Sequence, residues 1–300
     1  MIAIAGGATA ALCFAVATIV SSRSSRMIGA SSVLAWVMVV GMVAAIGPAL
    51  AAHPEPGPTA LAAGLAGLAG VSYVLGLYLN YRALRIGPVG IAAPIVSSEG
   101  ALAALIAVAL GEPLSGVAAA TLVVIATGVV LASMAPGRAA ADAAPAAAPT
   151  PADAPAPARR RPSRRTAGFA AAAAAVFAVG LVASARSVTF GMPVLWVALV
   201  ARLTGVAFVA LPLFASGRIR LTRPAVPLVI VAGVGEVIGT SAYTIGAQGG
   251  IATTAIVASQ FATLAAVGAY VFFGERLGRL QVAGVALVVV GVAVLTALTV

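Results

Sequence analysis

The sequence predicts an all-α polytopic membrane protein, with ten transmembrane helices arranged as two inverted five-helix repeats. Three observations predict it. Of 300 residues, 62% are hydrophobic and 8% charged, and the mean hydropathy is +1.14. A soluble globule cannot hide that much apolar surface, whereas a bilayer core about 30 Å thick takes up roughly 20 apolar residues per helical crossing. The apolar residues also run in long Ala/Val/Leu/Gly blocks, and a β-barrel would need short alternating segments bounded by turns. Finally, the blocks fall into two groups related by one ungapped offset.

Cutting at charges, prolines and Gly/Ser clusters leaves apolar blocks over 2–20, 28–50, 59–81, 88–110 and 114–134, then 167–185, 193–215, 224–246, 251–273 and 277–298. Each is close to the length of one crossing. The first block lacks a basic leader and matches the interior of the second group, so it is expected to be a span and not a signal peptide. The stretch 135–166, PGRAAADAAPAAAPTPADAPAPARRRPSRRT in its main part, has no apolar periodicity. It is expected to be a disordered or polyproline-like linker between a repeat at 1–134 and a repeat at 167–300.

The offset is 163 residues. It relates Arg23 in SSRSS to Arg186 in SARSV, Glu112 in GEPL to Glu275 in GERL, and Phe14-Ala15-Val16 to Phe177-Ala178-Val179. It also pairs Gly70 with Gly233, Gly76 with Gly239, Gly87 with Gly250, and Gly128 with Gly291. An odd number of spans per repeat places the two copies in opposite orientations. Inverted repeats of this kind are an architecture of secondary transporters, with the substrate site near the midplane where the halves meet.

Charge and cysteine usage exclude several classes. All 17 basic residues are arginines, and they occur in short clusters between apolar blocks, which reads as a topological signal and not as a nucleic-acid surface. One cysteine, Cys13, and one histidine, His53, leave no disulfide framework and no His/Cys metal site. No cofactor is expected. The partners are a small-molecule substrate and membrane lipid, for a chain acting as a monomer or a homodimer.

The GEPL and GERL elements are each followed by an apolar span with a late glycine, Gly128 and Gly291. With the run IVASQFATLAAVGAYVFFGERLGRLQVAGVALVVVGVAVLTAL from Ile256 to Leu298, they resemble the EamA-type repeat of the drug/metabolite transporter superfamily. The resemblance implies a ten-helix carrier of small organic solutes with a central cavity lined by its third, fourth, eighth and ninth helices. Such repeats often carry a proline about thirteen residues before the motif glutamate; here those positions are Glu99 and Ala262.

Ionisable groups inside hydrocarbon cost on the order of 2.5–3.5 kcal/mol each, so each needs a cavity or a partner. Glu99, Arg202 and Glu236 fall near the middle of the fourth, seventh and eighth blocks. In a wet cavity the carboxylates would hold the cationic end of a solute, or a proton, and Arg202 would hold a carboxylate. Alternatively Arg202 pairs with one glutamate and locks helices together. Ser97, Ser98, Ser259 and Gln260 supply polar lining nearby, and Tyr73 occupies the position equivalent to Glu236. Tyr78, Tyr81 and Tyr243 fit either the lining or an aromatic belt. Trp36 and Trp196 are read as packing residues, and Glu112 with Glu275 as caps or loop anchors.

The reading of function that follows is a secondary transporter of small organic solutes in the cytoplasmic membrane, an exporter, driven by the proton gradient or the solute's own. The alternative is a structural or lipid-scrambling protein without a specific solute. No P-loop is present for ATP-driven transport, and an intramembrane enzyme lacks a catalytic cluster. With the N-terminus outside, fifteen arginines fall in cytoplasmic loops against Arg186 alone outside, so the charges favour that orientation. The resemblance implies the opposite, with both termini in the cytoplasm.

Overall fold

A computed structural model of the chain describes residues 1–52, 57–86, 95–133, 164–261, 263–264 and 279–299. Among them every regular element is helical. The first group comprises α1 (Ile2–Ile28), α2 (Ala30–Ala51), α3 (Ala60–Ile86), α4 (Glu99–Ala109) and α5 (Gly116–Ser133). The second comprises α6 (Arg164–Thr189), α7 (Val194–Ala215), α8 (Val226–Ala247), α9 (Ile251–Ala258) and α10 (Arg279–Thr299). Six of these, α1 to α3 and α6 to α8, are long and apolar enough to cross a membrane. The segment 135–163, with His53 and Glu275, lies outside the described residues; Arg164, Arg165 and Thr166, expected in the linker, belong to α6.

Several helices outrun their apolar blocks. The 27 residues of α1 make a rod of about 40 Å at 1.5 Å per residue, long enough to carry Arg23 past the hydrocarbon into the headgroup layer. Gly29 then turns the chain into α2 in a single residue, at φ 86, a conformation glycine adopts without a Cβ clash. Large apolar side chains point outward, Phe208 at 68% and Leu105 at 67% exposure, while the interior is built from alanines such as Ala35, Ala45 and Ala62 at 0%. That is the packing expected where lipid supplies no hydrophobic drive and small residues let helices approach.

The expected fourth and ninth blocks are not single continuous helices. Before α4 the chain turns at Ser97–Ser98, and α9 ends in a turn at Ser259–Gln260. Serine and glutamine side chains compete with the helical ladder at both places. The Ser98 hydroxyl donates to Ile95 O at 2.6 Å, and the Ser259 hydroxyl and Gln260 amide donate to Ile256 O at 2.8 and 3.1 Å. Glu99 is therefore the first residue of a helix and not the middle of one.

The contacts between the two groups are reciprocal. The helix α3 packs along α6, and α1 along α8; α4 meets α9, α5 meets α10, and α2 meets α7. The same offset of 163 governs the close approaches. A methyl group on Gly76 would stand 2.6 Å from the Phe177 ring, and one on Gly239 2.6 Å from the Phe14 ring. One on Gly128 would meet Val288, and one on Gly291 would meet Ile125.

The ends of the helices define two faces. On one, Trp196 donates to Ala49 O, Thr59 to Phe190 O and Arg186 to Leu110 O. On the other, Ile28 and Val33 cluster with Ala225, and Ala83 with Ala170. Arg23, Arg82, Arg164 and Arg165 lie toward the second face, as do Arg218, Arg220 and Arg223; Arg186 lies at the first.

Gly76→Ala should lower the melting temperature of the purified protein, by an overpacking cost of about 1–3 kcal/mol, and Phe177→Leu should recover part of it. Gly64, with nothing within 4 Å of its missing methyl, should accept alanine without loss. Equal melting temperatures for Gly76→Ala and Gly64→Ala would contradict this packing.

Candidate functional site

At the centre of the bundle Arg202 is 1% exposed. It sits on the first part of α7, Val194–Gly205, immediately before the π-helical turn Val206–Ala210; such turns place an extra residue in a helix and concentrate at functional sites. Room for the side chain comes from α2, where Gly41 faces it: a methyl there would stand 2.8 Å from Arg202 Cδ. The guanidinium Nη2 donates to Glu236 Oε2 at 3.3 Å and to Thr240 Oγ1 at 3.4 Å. Nη1 lies 3.7 Å from Met38 Sδ, and among the described residues Nε has no hydrogen-bond partner. The Tyr73 ring lies under the cation, 5.1 Å from centroid to Cζ.

Glu236, 18% exposed, accepts a second hydrogen bond from the Tyr73 hydroxyl at 3.4 Å. Tyr73 and Glu236 are 163 residues apart, the repeat offset. Tyr73 is on α3 and Glu236 on α8, so this contact lies at the junction of the two groups. Arg202 meets its carboxylate partner through one oxygen only, and among the described residues its Nε has no hydrogen-bond partner.

A second polar group gathers where α4 and α9 meet. Ser97 and Gln260 are buried, at 6% and 4% exposure, as is Ser259 at 4%. Gly100 packs on Ser259, whose hydroxyl would be 2.7 Å from an added methyl. No ion pair to Glu99 occurs among the described residues. Among the described residues, Gln260 Oε1, the Tyr243 hydroxyl and the Thr263 hydroxyl are buried without hydrogen-bond partners.

The structure thus brings Tyr73, Arg202 and Glu236 into one cluster, and Ser97, Ser98, Glu99, Ser259 and Gln260 to the two helix breaks. Sequence reasoning missed Thr240 and Met38, whose apolar surroundings hid them; Thr240 lies one turn after Glu236, which a helical reading of GEVIGT could have shown. Tyr243 is 1% exposed, buried in the bundle and not at its rim, whereas Tyr78 is half exposed and accepts a hydrogen bond from Arg82 at 2.6 Å. Glu112 is a cap: its two oxygens accept the Ile251 and Ala252 amides at 3.0 and 3.1 Å, at the start of α9. Trp36 and Trp196 each donate to a backbone carbonyl.

Fold and cluster together define a multi-pass, all-helical membrane protein with paired ionisable groups at the junction of its two halves. Residues 1–134 match the EamA-like transporter family, which is consistent with an EamA-type drug/metabolite transporter. No curated protein matches. Solved structures do, among them one crystal structure that is 20% identical, covered over 99% of this chain and 96% of its own, with a TM-score of 0.72. At that identity the likeness is one of fold.

Breaking the pair should cost more than deleting it. Glu236→Gln leaves a buried, uncompensated guanidinium, a loss of about 3–5 kcal/mol for buried pairs, whereas Arg202→Met with Glu236→Leu should melt above either single variant. A double variant no more stable than Glu236→Gln would show that the pair is not coupled.

Proposed function

We propose that this chain is a secondary transporter of small organic solutes in the cytoplasmic membrane, built as two inverted five-helix repeats. The observation that carries the reading is the contact between Tyr73 and Glu236, repeat-equivalent residues that meet beside a buried, under-satisfied arginine. The family match over the first half supports transport of small solutes. Charge in an apolar interior is retained where a solute or ion uses it.

In this reading Arg202 receives an anionic group of the solute and Glu236 a cationic one, with Tyr73 stacked against the same space. Binding exchanges the internal ion pair for two pairs with the solute, so the empty carrier never holds a bare charge. Ser97, Ser98, Ser259 and Gln260 line the second stretch of the path, at breaks resembling the discontinuous helices of carriers whose sites lie between repeats. Glu99, without a cationic partner among the described residues, exchanges the proton that couples export to the gradient.

Liposomes loaded with amino acids, nucleosides or cationic drugs should release one of these classes only when the protein is present. Glu99→Gln should remove the response to an imposed proton gradient, with downhill flux surviving. The stable Arg202→Met/Glu236→Leu variant should bind and carry no solute. Wild-type transport by both variants would make the charges structural; lipid exchange without solute release would favour a scramblase.

The orientation with the N-terminus outside is part of the same proposal. Its support is the segregation of the described arginines, with Arg186 at one face and Arg23, Arg82 and the Arg218–Arg223 segment at the other, since arginine at span ends resists translocation. An alkaline phosphatase fused after Val300 should be active and a fluorescent protein there dark; a bright reporter with inactive phosphatase would reverse the assignment.

A further inference from the structure

The segment between α7 and α8, Gly217 to Arg223, reads GRIRLTR and is held open against α2. The backbone amide of Arg220 donates to the Ser32 hydroxyl at 3.1 Å, and its carbonyl accepts the Trp36 indole N–H at 3.1 Å. Trp36 in turn stands edge-on to Phe214, with centroids 5.4 Å apart. Residues 218–222 are not helical, and Gly217 enters them at φ 63. With both backbone polar groups of Arg220 engaged by α2, the segment is a fixed strap. The short helical turn Arg223–Ala225 packs against the end of α1, the end that carries Arg23.

Arg218, Arg220 and Arg223 on the strap are exposed, as is Arg23 on the helix that the Arg223–Ala225 turn packs against. Among the described residues none of them has a carboxylate within ion-pair distance. Holding like charges together without a counter-charge is unfavourable, and a fixed backbone stops the arginines from dispersing. Beside them Leu221 and Phe214 are 42% and 41% exposed. A ligand for this strap needs a phosphate for the guanidinium groups and hydrocarbon for the leucine and phenylalanine.

We propose that this strap is a binding site for an anionic phospholipid, whose headgroup is held by Arg218, Arg220 and Arg223 and whose acyl chains lie along Leu221 and Phe214. Juxtamembrane arginine clusters attract acidic lipid at about 1 kcal/mol per residue, and guanidinium groups bind phosphate in bidentate fashion. Free phosphate would satisfy the arginines but leave the apolar rim exposed. The site depends on the chain being embedded in a membrane and not on what it transports.

The test uses the full-length protein in neutral detergent. Phosphatidylglycerol should raise its melting temperature and remain bound in native mass spectrometry, while phosphatidylcholine and inorganic phosphate should do neither. The variant Arg218→Gln/Arg220→Gln/Arg223→Gln should bind phosphatidylglycerol at least about tenfold more weakly. Arg164→Gln/Arg165→Gln, on the same face but away from the strap, should bind it like the wild type. Equal binding of phosphatidylcholine, equal stabilisation by inorganic phosphate, an unaffected triple variant, or the same loss in both variants would each overturn the proposal.

Discussion

The architecture depends on two helix pairs approaching closely enough for backbone to meet aromatic ring. Gly76 against Phe177 and Gly239 against Phe14 seat α3 on α6 and α1 on α8. In a bilayer, helices gain nothing by hiding apolar surface from one another, so association rests on dense contact at small residues. The α2 and α7 positions follow: Gly233 lies against Val40 and Gly41, and Gly41 gives Arg202 its room. The buried cation is thus accommodated by the glycine packing that joins the halves.

Placing the cation there has a chemical consequence. The guanidinium is out of water, and its carboxylate partner among the described residues, Glu236, also accepts from Tyr73. The pair between α7 and α8 is an internal match of opposite charges through one carboxylate oxygen, with the π-helical turn directly behind it. In the transport reading, a solute carrying both signs displaces the pair without leaving a charge bare.

Polar residues divide into two sorts by what the backbone leaves them to do. Glu112 serves the fold: it satisfies the first amides of α9, which no helical carbonyl could reach. Ser98 turns back on Ile95 just before α4 begins, and Ser259 and Gln260 turn back on Ile256 where α9 ends. Tyr243 and Thr263 have no described partner, and with Glu99 they make the junction of α4 and α9 a polar spot within alanine-rich packing.

Composition alone determined that the chain lives in a membrane as helices, because hydropathy and block length are local quantities set by the thickness of the hydrocarbon. One offset ties Glu112, Phe14 and the glycines to later counterparts in the sequence, and the same offset relates the close approaches of Gly76, Gly239, Gly128 and Gly291. The site was half legible: Arg202, Glu236 and Tyr73 stood out as polar residues in apolar runs, but nothing local says which of Glu99 and Glu236 the arginine meets. That choice was tertiary, decided by how α2, α3, α7 and α8 pack at Gly41 and Tyr73. So were the breaks at Ser97–Ser98 and Ser259–Gln260: an apolar block reads as continuous until its side chains find carbonyls to bond. Pairing partners and helix breaks depend on distances between segments far apart in the chain, and those exist only once the helices have assembled.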